Sequence, residues 1–213
     1  MGATQFLSLG HAITVFALAA CALFVLPIAA LVWRPARNVA EWLARLIDKV
    51  TGAIGKSCAW LALLMAFGIG AAVVLRYAFG LSFAKLDEAI MAAHAAMIVG
   101  AAAWTLAENG HVRVDVLAEK LSPRKRAAIE WIGAMAFLAP FAALIFWAST
   151  PYVAASWRVF EASTASDGLR IVFLVKTLGP ALALMLGAQA LAQACKAALA
   201  LATHNVAAAG AAA

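Results

Sequence analysis

Five apolar runs dominate this sequence, and each is long enough to cross a lipid bilayer: Leu9–Trp33, Cys58–Leu75, Ala89–Ala107, Ala127–Thr150 and Ile171–Ala202. A spanning helix needs roughly 20 predominantly apolar residues. In hydrocarbon the backbone polar groups must be satisfied within the segment, so runs of this kind become helices. The second run extends to Phe79 if Arg76 snorkels toward the interface. The fifth is long enough to tilt or to project into water. Composition agrees: 66% of residues are hydrophobic and 12% charged, whereas a soluble domain is about half apolar and about a quarter charged. The expected fold is therefore an all-α polytopic membrane helix bundle, with a four-helix core, an extra N-terminal transmembrane helix and interfacial amphipathic helices.

The net charge of +6 reads as loops held at the cytoplasmic face, not as a nucleic-acid surface. The loop after the first run carries Arg34, Arg37, Arg45, Lys49 and Lys56, and the loop after the third carries Arg113, Lys120, Arg124, Lys125 and Arg126. The two alternate loops are poorer, with Arg76 and Lys85, then Arg158, Arg170 and Lys176. The bias puts the C-terminus in the cytoplasm and the N-terminus outside if the first helix is retained. A cleaved signal peptide is the other reading of that helix. Nothing basic precedes it, and its run exceeds the roughly 7–15 residues of a signal core, which favours retention. The organisation expected is residues 1–37 as the extra helix, 38–202 as the membrane domain with a leading amphipathic helix, and 203–213 as a disordered tail.

Two stretches mix charge with apolar periodicity. Val39, Trp42, Leu43, Leu46, Ile47, Val50 and Ile54 fall on one helical stripe, opposite Glu41, Arg45, Asp48 and Lys49. This predicts a helix lying flat at the headgroups, with Thr51, Gly52 and Gly55 offering a bend before Cys58; the alternative is a cytoplasmic extension of the next span. The second stretch is "AENGHVRVDVLAEKLSPRKR", from Ala107 to Arg126. Asn109 and Gly110 suit a left-handed helix C-cap. Ser122 and Pro123 mark a new helix start.

Few side chains suggest chemistry. Cys21, Cys58 and Cys195 sit in apolar runs without paired spacing, which argues against disulfides and thiolate metal sites. Among the histidines, only His94 lies near the middle of a span; His11, His111 and His204 do not match its depth, so a bis-histidine haem is the weaker reading. His94 is expected to hydrogen-bond inside the bundle, as an intramembrane polar group needs a partner. Asp87 and Glu88, in "LDEA", open the third run. Their plain role is interaction with the helix dipole, and their functional role is contact with a partner. Adjacent residues project about 100° apart on a helix, so the two converge poorly on one substrate. Pro140 is read as the one proline well inside a span, too little for a discontinuous transport helix pair. Abundant Ala and Gly permit close helix packing, within the chain or against another protein. No enzyme activity and no cofactor is expected.

"RYAFG" (Arg76–Gly80), "LDEA" and "GAAAWTLAENGHVRVDVLAEKLSPRKR" (Gly100–Arg126) together resemble the small membrane subunit of tripartite ATP-independent periplasmic (TRAP) transporters, the DctQ-like family. His111, Arg113 and Asp115 supply that family's His-x-Arg-x-Asp turn. "WRVFEASTASDGL" (Trp157–Leu169) and "VKTLGPAL" (Val175–Leu182) resemble its periplasmic loop and last helix. The chain departs from the pattern at Lys85 and Leu86, where the family commonly has Trp, and at Arg170, where a Pro often stands. The resemblance implies an inner-membrane subunit that braces a large permease for sodium-coupled uptake of an organic anion, a carboxylate, delivered by a periplasmic solute-binding protein. It also implies structural or partner-facing roles for Arg76, Asp87, Glu88, His111, Arg113, Asp115, Trp157 and Glu161. Arg124, Lys125 and Arg126 would rest on phospholipid headgroups. A membrane-anchor or haem-carrying redox subunit is the alternative.

Overall fold

A computed structural model describes residues 23–111 and 121–210, with side chains as far as residue 203. The described chain is helical: α1 (Val25–Val32), α2 (Arg34–Phe79), α3 (Ala84–Ala107), α4 (Pro123–Ile132), a π-helical segment (Gly133–Leu138), α5 (Ala139–Arg158) and α6 (Val172–Gly210). Among the described residues, four helices are long and apolar enough to cross a membrane: α2, α3, the continuous Pro123–Arg158 and Val172–Thr203 of α6. Most of the first expected span, and Arg113 and Asp115, lie outside the described residues.

Local chemistry explains where helices stop. Between α1 and α2 only Trp33 leaves the helical conformation, with φ −108° and ψ 116°. Pro35 has no N–H to give and crowds the preceding turn. The carbonyls this exposes are taken by a side chain: Arg37 Nε donates to Ala30 O at 3.0 Å and Nη2 to Leu31 O at 3.4 Å. At the end of α2, Gly80 adopts φ +69°, a conformation cheap only for glycine, and Leu81 N–H returns to Leu75 O at 3.0 Å. The expected C-cap of α3 is present. Asn109 has φ 55°, Gly110 N–H bonds Thr105 O at 2.8 Å, and Asn109 N–H bonds Leu106 O at 3.2 Å, which is the Schellman pattern. Helix α4 starts at Pro123 as expected, although Ser122 makes no side-chain cap.

Three expectations require correction. The bend at Thr51–Gly55 does not form: α2 is one helix of 46 residues, so the amphipathic stretch extends the span that follows it. Two glycines cost only about 1 kcal/mol each relative to alanine, and both sit where α2 gains packing. Secondly, Pro140 is not alone, because Pro151 and Pro180 also lie inside helices. A π-helical turn directly precedes Pro140, the kind of local adjustment that absorbs a proline's missing bond. Thirdly, α6 continues through Gly210, over residues the sequence reading assigns to the tail. The stretch is alanine-rich, and alanine is the strongest helix former.

The described residues group into two compact units, one of 23–45, 121–136 and 191–210, the other of 46–111 and 137–190. In the first, Ala36, Ala40 and Ala44 form a buried stripe at i, i+4, i+8, and Ala192, Ala194, Cys195, Ala197, Ala198 and Ala202 are also buried. The large side chains of the predicted apolar stripe point outward; Val39 and Trp42 are exposed. Such a distribution suits lipid, where small residues let backbones approach and large apolar ones meet acyl chains at no cost.

The second unit is assembled the same way. A Cβ on Gly55 would collide with Trp104, and one on Gly100 with Cys58 Sγ, while Gly68 lies 3.1 Å from Ile90 Cγ1 on the same measure. These pairs run oppositely in sequence, so α2 and α3 pack antiparallel. Ser149 against Gly179 and Ala142 against Gly187 set α5 and α6 antiparallel likewise. A polar clamp joins α2 to α6: Gln189, fully buried, donates from Nε2 to Asp48 Oδ1 at 2.9 Å, and its Oε1 lies 3.1 Å from Thr51 Oγ1. Asp48 and Thr51 are three residues apart and so share a helix face.

Candidate functional site

The charged residues singled out in the sequence converge at the N-terminal end of α3. Asp87, in its first turn, pairs with Arg76 in the last turn of α2 at 3.0 Å, with both side chains about half exposed. Each charge is also opposite in sign to the partial charge of its own helix end, which favours both placements. Glu88 turns elsewhere. Its Oε1 accepts from Ser163 Oγ, and its Oε2 accepts the backbone N–H of Leu169 at 2.6 Å. The two carboxylates thus diverge onto different elements, as their angular offset requires.

Glu88 and the residues it touches organise the loop between α5 and α6. Ser163 N–H bonds Leu169 O at 3.0 Å, Gly168 N–H bonds Ala165 O at 3.1 Å, and Ala165 N–H bonds Ser163 Oγ at 3.1 Å. Asp167 reaches back from this loop and accepts the N–H of Ala84 at 3.1 Å. It supplies the cap that Phe83, at the N-cap position, lacks.

The ends of α5 and α6 meet beside the same loop. Trp157 Nε1 donates to Thr177 Oγ1 at 2.9 Å, and its ring meets Phe173 edge-on at 4.7 Å between centroids. Phe160 joins them at 5.6 Å from Phe173 and holds φ 45°. Glu161 pairs with Lys176 at 2.5 Å, and the Lys176 ammonium lies 4.2 Å from the centroid of the Tyr152 ring. The Lys176 ammonium beside it holds the Glu161 carboxyl below the usual carboxylate range.

The other candidates stand apart. His111 is exposed just past the cap of α3, and Arg124, Lys125 and Arg126 are exposed in the first turn of α4. His94 contradicts its expectation. It is exposed on α3 and has no hydrogen-bond partner among the described residues. The bundle buries the opposite side of that helix, at Gly100 and Ala103.

Sequence reasoning missed Ser163, Asp167, Lys176, Thr177 and the Asp48–Thr51–Gln189 clamp. The run "STASDG" carries a turn signal, but its partners lie more than seventy residues away in sequence. Every contact at this end of α3 is structural in kind: ion pairs, caps and aromatic edges that fix where helices stop.

The family described as tripartite ATP-independent periplasmic transporters, DctQ component, matches residues 65–200, which is most of the chain and includes all of the Glu88-centred site. No curated protein and no solved structure matches the chain. With helices apolar enough to cross a membrane and the family's pattern running through them, the chain belongs to the DctQ family of TRAP transporter small permease subunits.

Proposed function

We propose that this small permease subunit is a passive brace. It enlarges and stiffens the membrane scaffold of a large permease subunit, which carries out sodium-coupled uptake of an organic anion, a carboxylate, handed over by a periplasmic solute-binding protein. The observation that carries this reading is the length and continuity of the helices together with their inside-out composition. Helix α2 has 46 residues and is held against α3 through glycines, while Trp60, Phe67 and Tyr77 face outward. Transport sites are commonly built at broken helices near mid-membrane; long helices with alanine and glycine contacts serve rigidity. The polar contacts described above lie at helix ends, in one loop and in the Asp48–Thr51–Gln189 clamp that ties α2 to α6.

In this reading the loop between α5 and α6 faces the periplasm, and Arg124, Lys125 and Arg126 face the cytoplasm. Three cations in the first turn of a helix oppose its dipole, a placement that anionic headgroups compensate. The sequence places His111, Arg113 and Asp115 between α3 and α4, and the family resemblance is what assigns them to the connection there.

Reconstitution tests the proposal. Liposomes holding the large subunit and supplied with binding protein should accumulate the anion only when this chain is present. Liposomes holding this chain alone should accumulate none. Uptake by this chain alone, or a Soret band from stoichiometric haem in the purified protein, overturns the reading.

A further inference from the structure

The outward face of α3 is not an ordinary lipid surface. Asp87, Met91, His94 and Ile98 are all exposed, and their offsets of 0, 4, 7 and 11 place them in one narrow stripe of the helix. Helix α3 has 24 residues, and His94 lies about 15 Å along the axis from the nearer end. An imidazole is too short to snorkel that far. Acyl chains offer it no hydrogen bond, and an unsatisfied polar group in hydrocarbon is costly. Ionisable groups within a span almost always face protein or a water-filled cavity. Within the described chain His94 has neither, since its bundle lies on the other side of the helix at Gly100 and Ala103.

We infer that the Asp87–Met91–His94–Ile98 stripe is a docking face for a transmembrane helix of the large permease subunit, one that presents a hydrogen-bonding side chain to His94 at mid-depth. The inference rests on the brace reading above and adds which face makes the contact. The chain is one component of a tripartite transporter, so the large permease subunit is the membrane protein that this face is fitted to meet; a second copy of this chain is the competing occupant, and the crosslinks below distinguish the two. The apolar neighbours Met91 and Ile98 flank the imidazole one turn away on either side, so a docked helix would seal it from lipid.

The test uses the whole complex in native membranes. A photo-crosslinking amino acid at position 91 or 98 should join this chain to the large subunit, and the same probe at Phe67, exposed on α2, should not. His94→Leu should lower recovery of the large subunit on a tag carried by this chain at least tenfold, and His94→Gln, which keeps a donor and an acceptor, should restore most of it. Full recovery with His94→Leu, or crosslinks from 91 and 98 that reach only lipid or another copy of this chain, overturns the inference. Should the unsubstituted chain itself fail to recover the large subunit, the brace reading falls instead. A thermal melt of each variant in detergent separates loss of docking from loss of folding, and an unfolded His94→Leu leaves the crosslinks to decide.

Discussion

Glu88 on α3 accepts the backbone N–H of Leu169 at 2.6 Å, eighty-one residues downstream, and accepts Ser163 Oγ with its other oxygen. One carboxylate thereby ties together the two sides of the turn that runs from Ser163 to Leu169. Glu88→Ala should cost about 1.5–3 kcal/mol, the range for hydrogen bonds to a charged group. It should also free the loop, so that trypsin cleaves after Arg170 faster than in the parent protein. Equal cleavage rates would show that the loop is held by other contacts.

Glycine contacts between α2 and α3 supply a graded test. Gly55→Ala and Gly100→Ala each place a methyl group into Trp104 or Cys58, and overpacking of this kind costs roughly 1–3 kcal/mol. Gly70 meets nothing within 4 Å, so Gly70→Ala should be neutral or stabilising by up to about 1 kcal/mol through helix propensity. Unfolding in mixed micelles with increasing SDS measures all three.

The Glu161–Lys176 pair makes the loop acid-sensitive. Glu161 has its carboxyl lowered from 4.5, first by the hydrogen bond from Lys176. A group whose folded value is depressed contributes stability that is complete above its unfolded value and lost as pH falls through the folded one. Protection factors of amides at the start of α6, which remove the intrinsic pH dependence of exchange, should therefore be flat with pH above about 4.5 and fall below it, and Glu161→Gln should abolish the dependence. Both residues touch water, so the effect is a local loosening.

Gln189 offers a fourth prediction. Gln189→Leu removes the partner of Asp48 Oδ1 and Thr51 Oγ1 and should destabilise by about 1–3 kcal/mol, as expected when buried polar groups lose their bonds. Adding Asp48→Ala and Thr51→Ala to the same protein should cost much less than each does alone, because groups in one network do not add independently. Additive losses in the SDS titration would show that the three act separately.

The spans were legible because hydrocarbon admits few solutions. Apolar length located α3 and the core of α2 within a few residues, and the Asn109–Gly110 cap followed from the tolerance of those residues for positive φ. Inward packing was less legible. Periodicity identified the stripe of Val39, Trp42 and Leu46 and turned it toward the membrane, but it did not reveal which residues of the same helix pack against protein. The inward alanines at 36, 40 and 44 carry no comparable signal. His94 failed for the same reason, because its need for a partner was clear and the partner's chain was not. At the loop, Trp157 and Glu161 were found through a family pattern, while Lys176 and Asp167 became visible only when distant segments were brought together.

Arg37 closes the gap between α1 and α2 with its own guanidinium, taking up the carbonyls of Ala30 and Leu31 that no backbone amide reaches. A clasp made from one side chain can unfasten and refasten without unravelling either helix. The junction of α1 with α2 is thus held jointly by the Arg37 clasp and by the buried Pro27 and Ala30, and Arg37 is the member of that set whose grip depends on a charge.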